Sequence, residues 1–187
     1  LIEGIKVVIR QLELGDEELL HKWRNSSKGN EYCGFNHGFL ISKEAYRLSI
    51  QNEIESSNVF PEEKTFIICK KDNLEPIGDV SYRSWDKRNR SAEFGIEIGD
   101  IVDRGQGYGL DTLYHFFDYL YNYLNLNRVE LKTLTNNISA FKLYEKLGFK
   151  KIGYIREKSF NSMTGQYTDV LYMDLLRREW EEIKPTI

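Results

Sequence analysis

Cysteine, proline and a basic excess are all scarce in this chain, and each shortage excludes a class of protein. The two cysteines, Cys33 and Cys69, stand alone in 187 residues, with no CxxC pair and no Cys/His cluster. Neither a disulfide scaffold nor a metal site is therefore expected, and each cysteine reads as a plain thiol in a reducing compartment. Three prolines and 14 glycines leave no collagen period and no Pro-rich linker, which argues for a single domain over 1–187. Basic residues number 26 against 29 acidic ones, a net charge of −3. Proteins that grip long nucleic acid usually carry the opposite balance to displace counterions, so nucleic acid is not the expected partner. The one local basic run, Lys87-Arg88-Asn89-Arg90, reads as a solvated turn. No apolar run approaches the ~20 residues that cross a bilayer, so no membrane partner is expected. The opening LIEGIKVVIRQLELGDEE is too charged for a signal peptide, and the expected location is cytoplasmic.

What is present is ordinary in hydrophobic content, 41%, and rich in aromatics, with 12 Tyr and 10 Phe. Ile5–Arg10 has strand character and is followed by a helix from Asp16 to Arg24, acidic first and basic last, with Asp16 as its cap. Asn25 to Leu40 is irregular, carrying Tyr32, Phe35, His37 and Phe39, and Ser42 opens a second helix to about Glu55. Strands are predicted at 64–70 and 76–82, joined by a turn at Lys71-Asp72-Asn73. Ser91–Ile98 alternates, with Ala92, Phe94, Ile96 and Ile98 on one face and Glu93, Gly95 and Glu97 on the other. Leu110–Leu124 is the clearest helix; a strand at 128–135, a helix at 137–147 and strands at 149–155 and 167–175 complete the chain. This order predicts an α/β fold, a mixed twisted sheet of about seven strands with helices on both faces.

Two segments carry chemical information. Asp103-Arg104-Gly105-Gln106-Gly107-Tyr108-Gly109 lies between a strand and a helix. Alternating glycines there expose backbone N–H groups at a helix N-terminus, an anion cradle. The spacing is neither G-x-G-x-x-G nor a Walker A loop, and the glycines alone fit a tight turn equally well. The second segment, Asn137-Ile138-Ser139-Ala140-Phe141-Lys142-Leu143-Tyr144-Glu145-Lys146-Leu147-Gly148-Phe149, is a capped helix on structural grounds.

Together, Arg104-x-x-Gly107-x-Gly109 opening a helix and Asn-x-x-Ala-x-x-x-Tyr-Glu-Lys-Leu-Gly-Phe after the next strand resemble the GNAT superfamily of acetyl-CoA-dependent N-acetyltransferases. The resemblance spans nearly the whole chain. Trp23-Arg24-Asn25, Pro76-Ile77-Gly78, Ala92-Glu93-Phe94-Gly95-Ile96 and Tyr167-Thr168-Asp169 resemble the branch of ribosomal-protein and spermidine N-acetyltransferases. The resemblance implies the GNAT fold and acetyl-CoA as co-substrate, with no metal. It implies that Arg104, Gly105, Gln106, Gly107, Tyr108 and Gly109 hold the coenzyme diphosphate through backbone amides. Gly95, Ile96, Glu97 and Ile98 match a splayed strand that pairs with the pantetheine arm, Asn137 a position that touches the coenzyme, and Tyr144 one near the thioester sulfur.

Elementary chemistry adds the acid–base requirements. A tyrosine of pKa ~10 facing a thiol of pKa ~8.5 transfers its proton uphill by roughly 2 kcal/mol, so Tyr144 is expected to stabilise the leaving thiolate by hydrogen bonding. An alkyl amine near pKa ~10 must lose a proton before it attacks, and a carboxylate acting through water can take it. Glu97 and Glu93 are the candidates, Glu97 the preferred one. His21, His37 and His115 are the chain's histidines; of these only His37, in the irregular segment, is a candidate for the acceptor site. The expected function is direct acetyl transfer to a primary amine, on a protein N-terminus, a polyamine or another small amine. The alternative is an acyl-CoA-sensing module without catalysis. The acidic balance favours a cationic acceptor, and a sheet edge with aromatic surface is compatible with a homodimer.

Overall fold

The computed structural model describes residues 1–26, 37–56 and 58–184. Two short strands, β1 (Ile2–Glu3) and β2 (Val7–Gln11), precede helices α1 (Glu17–Arg24) and α2 (Lys43–Glu55). Strands β3 (Lys64–Lys70), β4 (Pro76–Asp86) and β5 (Ser91–Ile98) follow, then a 3-10 turn at Ile101–Asp103 and helix α3 (Tyr108–Asp118). The chain continues through β6 (Arg128–Leu134), α4 (Ile138–Lys146), β7 (Lys150–Asn161), β8 (Gln166–Leu176) and α5 (Arg177–Ile183). All these strands form one sheet of eight, in the order β1-β2-β3-β4-β5-β6-β8-β7. Only the central β5–β6 pair is parallel. The two-residue β1 accounts for the strand beyond the approximate seven.

Both faces of the sheet are covered, which is why β3 reads as an unbroken apolar run. Phe66 and Ile68 join the larger core with α3, α4 and α5, while Ile67 and Cys69 pack with Leu20 and Trp23 of α1 and Ile50 of α2. The aromatic excess fills mainly the larger core. Phe94 meets Phe117 edge-on at 5.0 Å, and Trp180 of α5 lies against Tyr114 and Phe117. The Trp180 indole N–H donates to Asp118 Oδ1 at 3.0 Å, which satisfies the one polar atom of an otherwise buried ring.

Three local expectations are corrected. Asp16 does not cap α1: its carboxylate takes a bidentate pair of hydrogen bonds from Arg10, and the stronger charged partner wins. The long helix changes winding after Asp118, where residues Tyr119–Tyr123 form a π turn that buries the consecutive Leu120 and Tyr121. Beyond Leu176 the chain turns into α5, which the sequence pattern did not show. Of the irregular segment 25–40, residues 27–36, including Tyr32, Cys33 and Phe35, lie outside the described residues. Cys69 is a buried free thiol whose pKa is pushed up by burial.

Candidate active site

The central strand pair is incomplete. β5 and β6 meet only at Ser91↔Arg128, Ala92↔Val129 and Glu93↔Glu130. β5 nevertheless stays paired with β4 out to Ile98, and β6 with β8 out to Leu134. From Phe94 onward the two strands therefore diverge, and alternate N–H and C=O groups of residues 94–98 face the gap without a strand partner. A cleft of about 500 Å³ occupies it, with Phe94, Leu131 and Tyr144 on one side and Asp79, Ser81, Arg83, Lys132 and Tyr172 on the other. Glycine lets β4 close on β5 at the far end of the gap. A Cβ on Gly78 would lie 2.1 Å from the Glu97 carbonyl oxygen, so no larger residue keeps that register.

The glycine loop stands at the end of this gap. Gly105 and Gly107 have φ of +75° and +87°, the left-handed region that glycine enters without steric cost. Gly107 is the residue preceding α3, so the loop presents its N–H groups where the helix dipole is positive. A Cβ on Gly107 would also come within 3.2 Å of Lys6 Nζ, which donates to the Gln106 carbonyl at 2.9 Å. Arg104 does not project its guanidinium outward. Its Nε donates to the Ile98 carbonyl at 2.9 Å and its Nη2 to that of Gly99, so it fastens the loop to the end of β5. Lys70 pairs with Asp103 at 2.8 Å and steadies the loop from the other side. Tyr108, Gly109, Ile96 and Ile98 are partly buried, with Tyr108, Ile96 and Ile98 resting on the larger core.

Tyr144 is buried on α4 between Phe94 (5.7 Å, edge-on) and Phe149 (6.0 Å), and it lines the cleft. Asn137 caps α4: its Oδ1 accepts from Ala140 N at 3.3 Å and from Ser139 Oγ at 3.1 Å, and the residue lines the cleft too. The two motif residues thus line the same cleft as Phe94, Gly95 and Ile96 of the splayed strand.

The opposite wall is ionic, and part of it the sequence reading missed. Asp79 and Glu97 are directly opposed on β4 and β5, and Arg24 at the end of α1 bridges them. Arg24 Nη2 reaches Asp79 Oδ2 at 2.8 Å and Nη1 contacts Glu97 Oε2. Asp79 is 1% exposed, and burial pushes its pKa up to about 6 against the opposing pull of Arg24, with Glu97 adding to the rise. Asp79 Oδ1 and Glu97 Oε1 are buried with no hydrogen-bond partner among the described residues. The signal for Asp79 was a charge inside an apolar strand, but only the β4–β5 register sets it against Glu97.

Glu93 is differently placed. Its buried carboxylate is held by Arg83 and by Lys132, whose Nζ lies 2.5 Å from Oε2. Hydrogen bonds from these two cations hold its pKa below the usual carboxylate range in spite of burial. Gly95 lies between the two carboxylates, and the absence of a side chain there admits Arg83 Nη1 and Ser81 Oγ, each 3.4 Å from where a Cβ would stand. His37 is exposed and does not line the cleft.

Comparison with known proteins agrees with this geometry. A model of the acetyltransferase (GNAT) domain matches residues 6–150. The chain is similar to the spermidine N(1)-acetyltransferase of Vibrio cholerae, 27% identical over 177 residues that cover 94% of this chain and 95% of the relative. It is also similar to a putative ribosomal N-acetyltransferase, YdaF of Bacillus subtilis, 31% identical over 104 residues, 56% of this chain and 55% of that one. A crystal structure of the Vibrio cholerae spermidine N-acetyltransferase, in complex with CoA and spermine, superposes with a TM-score of 0.82 at 26% identity, over 94% of this chain and 98% of that one. With its parted central strands, its glycine loop and a domain match over most of its length, the chain belongs to the GNAT family and is an acetyl-CoA-dependent N-acetyltransferase.

Proposed function

We propose that the chain transfers acetyl from acetyl-CoA directly to the primary amine of an acceptor bound on the ionic side of the cleft. The observation that carries this reading is the parting of β5 from β6 after Glu93, which opens a cleft lined by Tyr144 on one wall and by Arg24 and Asp79 on the other, with the glycine loop fastened to the end of β5 beyond it. The backbone amides of 105–109 suit a diphosphate, since Gly105 and Gly107 remove the side chains that would hold it away. Unpaired peptide groups of residues 94–98 suit the pantetheine amides, and an N–H among them suits the thioester oxygen as it gains charge.

Each residue then has a task. The Asp79–Glu97 pair, rather than Glu93, accepts the proton that the acceptor ammonium must lose, because Arg83 and Lys132 lower the Glu93 pKa and make it the weaker base, while burial raises that of Asp79. The freed amine nitrogen forms its bond to the acetyl carbon as the carbon–sulfur bond breaks, and the second amine proton leaves afterwards. Tyr144 donates a hydrogen bond to the departing thiolate, which takes up a proton on its way to the thiol. No covalent acyl-enzyme is required, and the described site offers no nucleophilic thiol or serine triad for one.

The test is calorimetric binding of acetyl-CoA followed by free-thiol assay with a panel of primary amines. Binding and amine-dependent thiol release are expected. Failure to bind at millimolar coenzyme overturns the reading, whereas binding without release for any amine favours the non-catalytic sensing module.

A further inference from the structure

We propose that the acceptor is a zwitterion: a small molecule whose primary amine is accompanied, a few bonds away, by a carboxylate or phosphate. This rests on the acetyltransferase reading above and adds the chemical class of the second substrate. The ionic wall of the cleft has two poles of opposite sign. At one, among the described residues, Asp79 and Glu97 share the single cation Arg24, which leaves one negative charge over and two buried oxygens lacking a donor. At the other, Arg83 and Lys132 share the single carboxylate of Glu93 among the described residues, so one positive charge is left over there. Lys158 also lines the cleft and makes no ion pair among the described residues, which strengthens the positive pole.

The strand register sets the distance between them. The rungs Asp79↔Glu97 and Arg83↔Glu93 are separated by Ser81↔Gly95. The Arg83 guanidinium folds back over that middle rung, with Nη1 3.4 Å from the Cβ position of Gly95. The two rungs stand four residues apart along the strand, or ~13 Å, and the folded-back Arg83 guanidinium brings the positive end to within about two residues, or ~7 Å, of the Asp79–Glu97 rung. A small zwitterion lodged between the Asp79–Glu97 rung and the Arg83 guanidinium offers its ammonium to Asp79 and Glu97 and its acid to Arg83, Lys132 and Lys158. A polyamine of similar length puts its second ammonium against three cations, and a simple alkylamine leaves the positive pole unanswered.

The placement of Lys158 is built into the fold. The β7–β8 register shifts between Ile155 and Ser159. Glu157 in that bulge has φ of +51°, and its N–H donates to Asp169 Oδ1 at 2.8 Å. Bulges of this kind commonly re-aim a side chain beside a site. The local arrangement therefore reverses the inference from net charge, which favoured a plain cation: the chain is acidic overall, but the cleft wall is not.

The experiment measures kcat/KM for thiol release from acetyl-CoA with an α-amino acid, its methyl ester, phosphoethanolamine, ethylamine and spermidine. The acid is expected to exceed its ester, or phosphoethanolamine to exceed ethylamine, by at least about tenfold; whichever pair shows the larger gain identifies the anion. Lys158→Gln is expected to shrink that gain several-fold while calorimetric binding of acetyl-CoA stays unchanged. Spermidine or the ester matching the zwitterions, or a gain indifferent to Lys158→Gln, overturns the proposal and leaves the acetyltransferase reading standing. Absence of thiol release with every amine overturns both.

Discussion

Tyr144 and Asp79 show the two ways a residue reaches this site. Tyr144 was legible in the sequence because its helix motif, from Asn137 to Phe149, is contiguous and carries a cap at each end. Its ring is held by Phe94 and Phe149, so replacing it with phenylalanine keeps the packing and removes only the hydroxyl. A hydrogen bond to a charged group contributes about 1.5–3 kcal/mol, so Tyr144→Phe is expected to lower kcat roughly ten- to hundredfold. Calorimetric affinity for acetyl-CoA should stay within about twofold of the parent; a large loss of affinity would make the hydroxyl a structural group. Asp79 was passed over as part of a hairpin, because its meaning depends on a rung with Glu97 and a helix end at Arg24, 55 residues away in the chain. Arg104 was singled out for its backbone amide, and no spacing shows that its guanidinium turns back onto Ile98 and Gly99.

Elements were read well where one face was polar, and less well where neighbours decided. The alternation of β5 and the apolar stripe of α3 follow from local periodicity. The π turn after Asp118 and α5 do not, because both answer to aromatic packing around Trp180. The joint between α3 and the N-terminal hairpin is another such case. Asp111, in the first turn of α3, accepts from the backbone N–H groups of Ile5, Lys6 and Val7 at 3.2, 2.8 and 3.0 Å. A Cβ on Gly4 would fall 2.4 Å from Asp111 Oδ2, so the glycine is what admits the carboxylate to the turn. The same turn carries Lys6 to the Gln106 carbonyl, linking the hairpin to the glycine loop. Asp111→Ala strands three donors, and the expected loss of stability is about 2–4 kcal/mol. That corresponds to a fall in Tm of roughly 5–15 °C for a chain of this size. Asp111→Asn keeps one acceptor oxygen and should lose less. Thermal unfolding of the two variants, with acetyl-CoA affinity measured below the transition, checks both the anchor and its link to the loop.

At the scale of the whole molecule, the carboxylates divide by the direction in which folding moves them, and the division predicts how stability depends on pH. Glu93, gripped by Arg83 and Lys132, and Glu179, bonded to Lys150, are held below their ordinary pKa. Such groups contribute stability that is present above the unfolded carboxylate range and lost as pH falls through their folded pKa. Asp79 has the opposite sign. Burial raises it from 3.8 to about 6, although Arg24 opposes the rise; Glu97 supports it, and among the described residues Tyr46 is the other titratable group near this cluster. The folded chain thus binds the Asp79 proton more tightly than the unfolded chain does. Its contribution is fully favourable below about pH 4, declines as pH rises through 4 to 6, and is constant above that. The span is on the order of 3 kcal/mol, from about 1.4 kcal/mol per pKa unit. Subtracting the unfolding free energy of Asp79→Asn from that of the parent cancels most of the shared carboxylate titration and isolates this group. Urea unfolding at pH 4, 5, 6, 7 and 8 should show the difference shifting toward the variant between pH 4 and 6 and then levelling. A flat difference would mean that Arg24 keeps Asp79 ionised throughout. The same ionisation readies the negative pole of the cleft, so catalytic efficiency with any amine should rise across the window in which the parent loses relative stability.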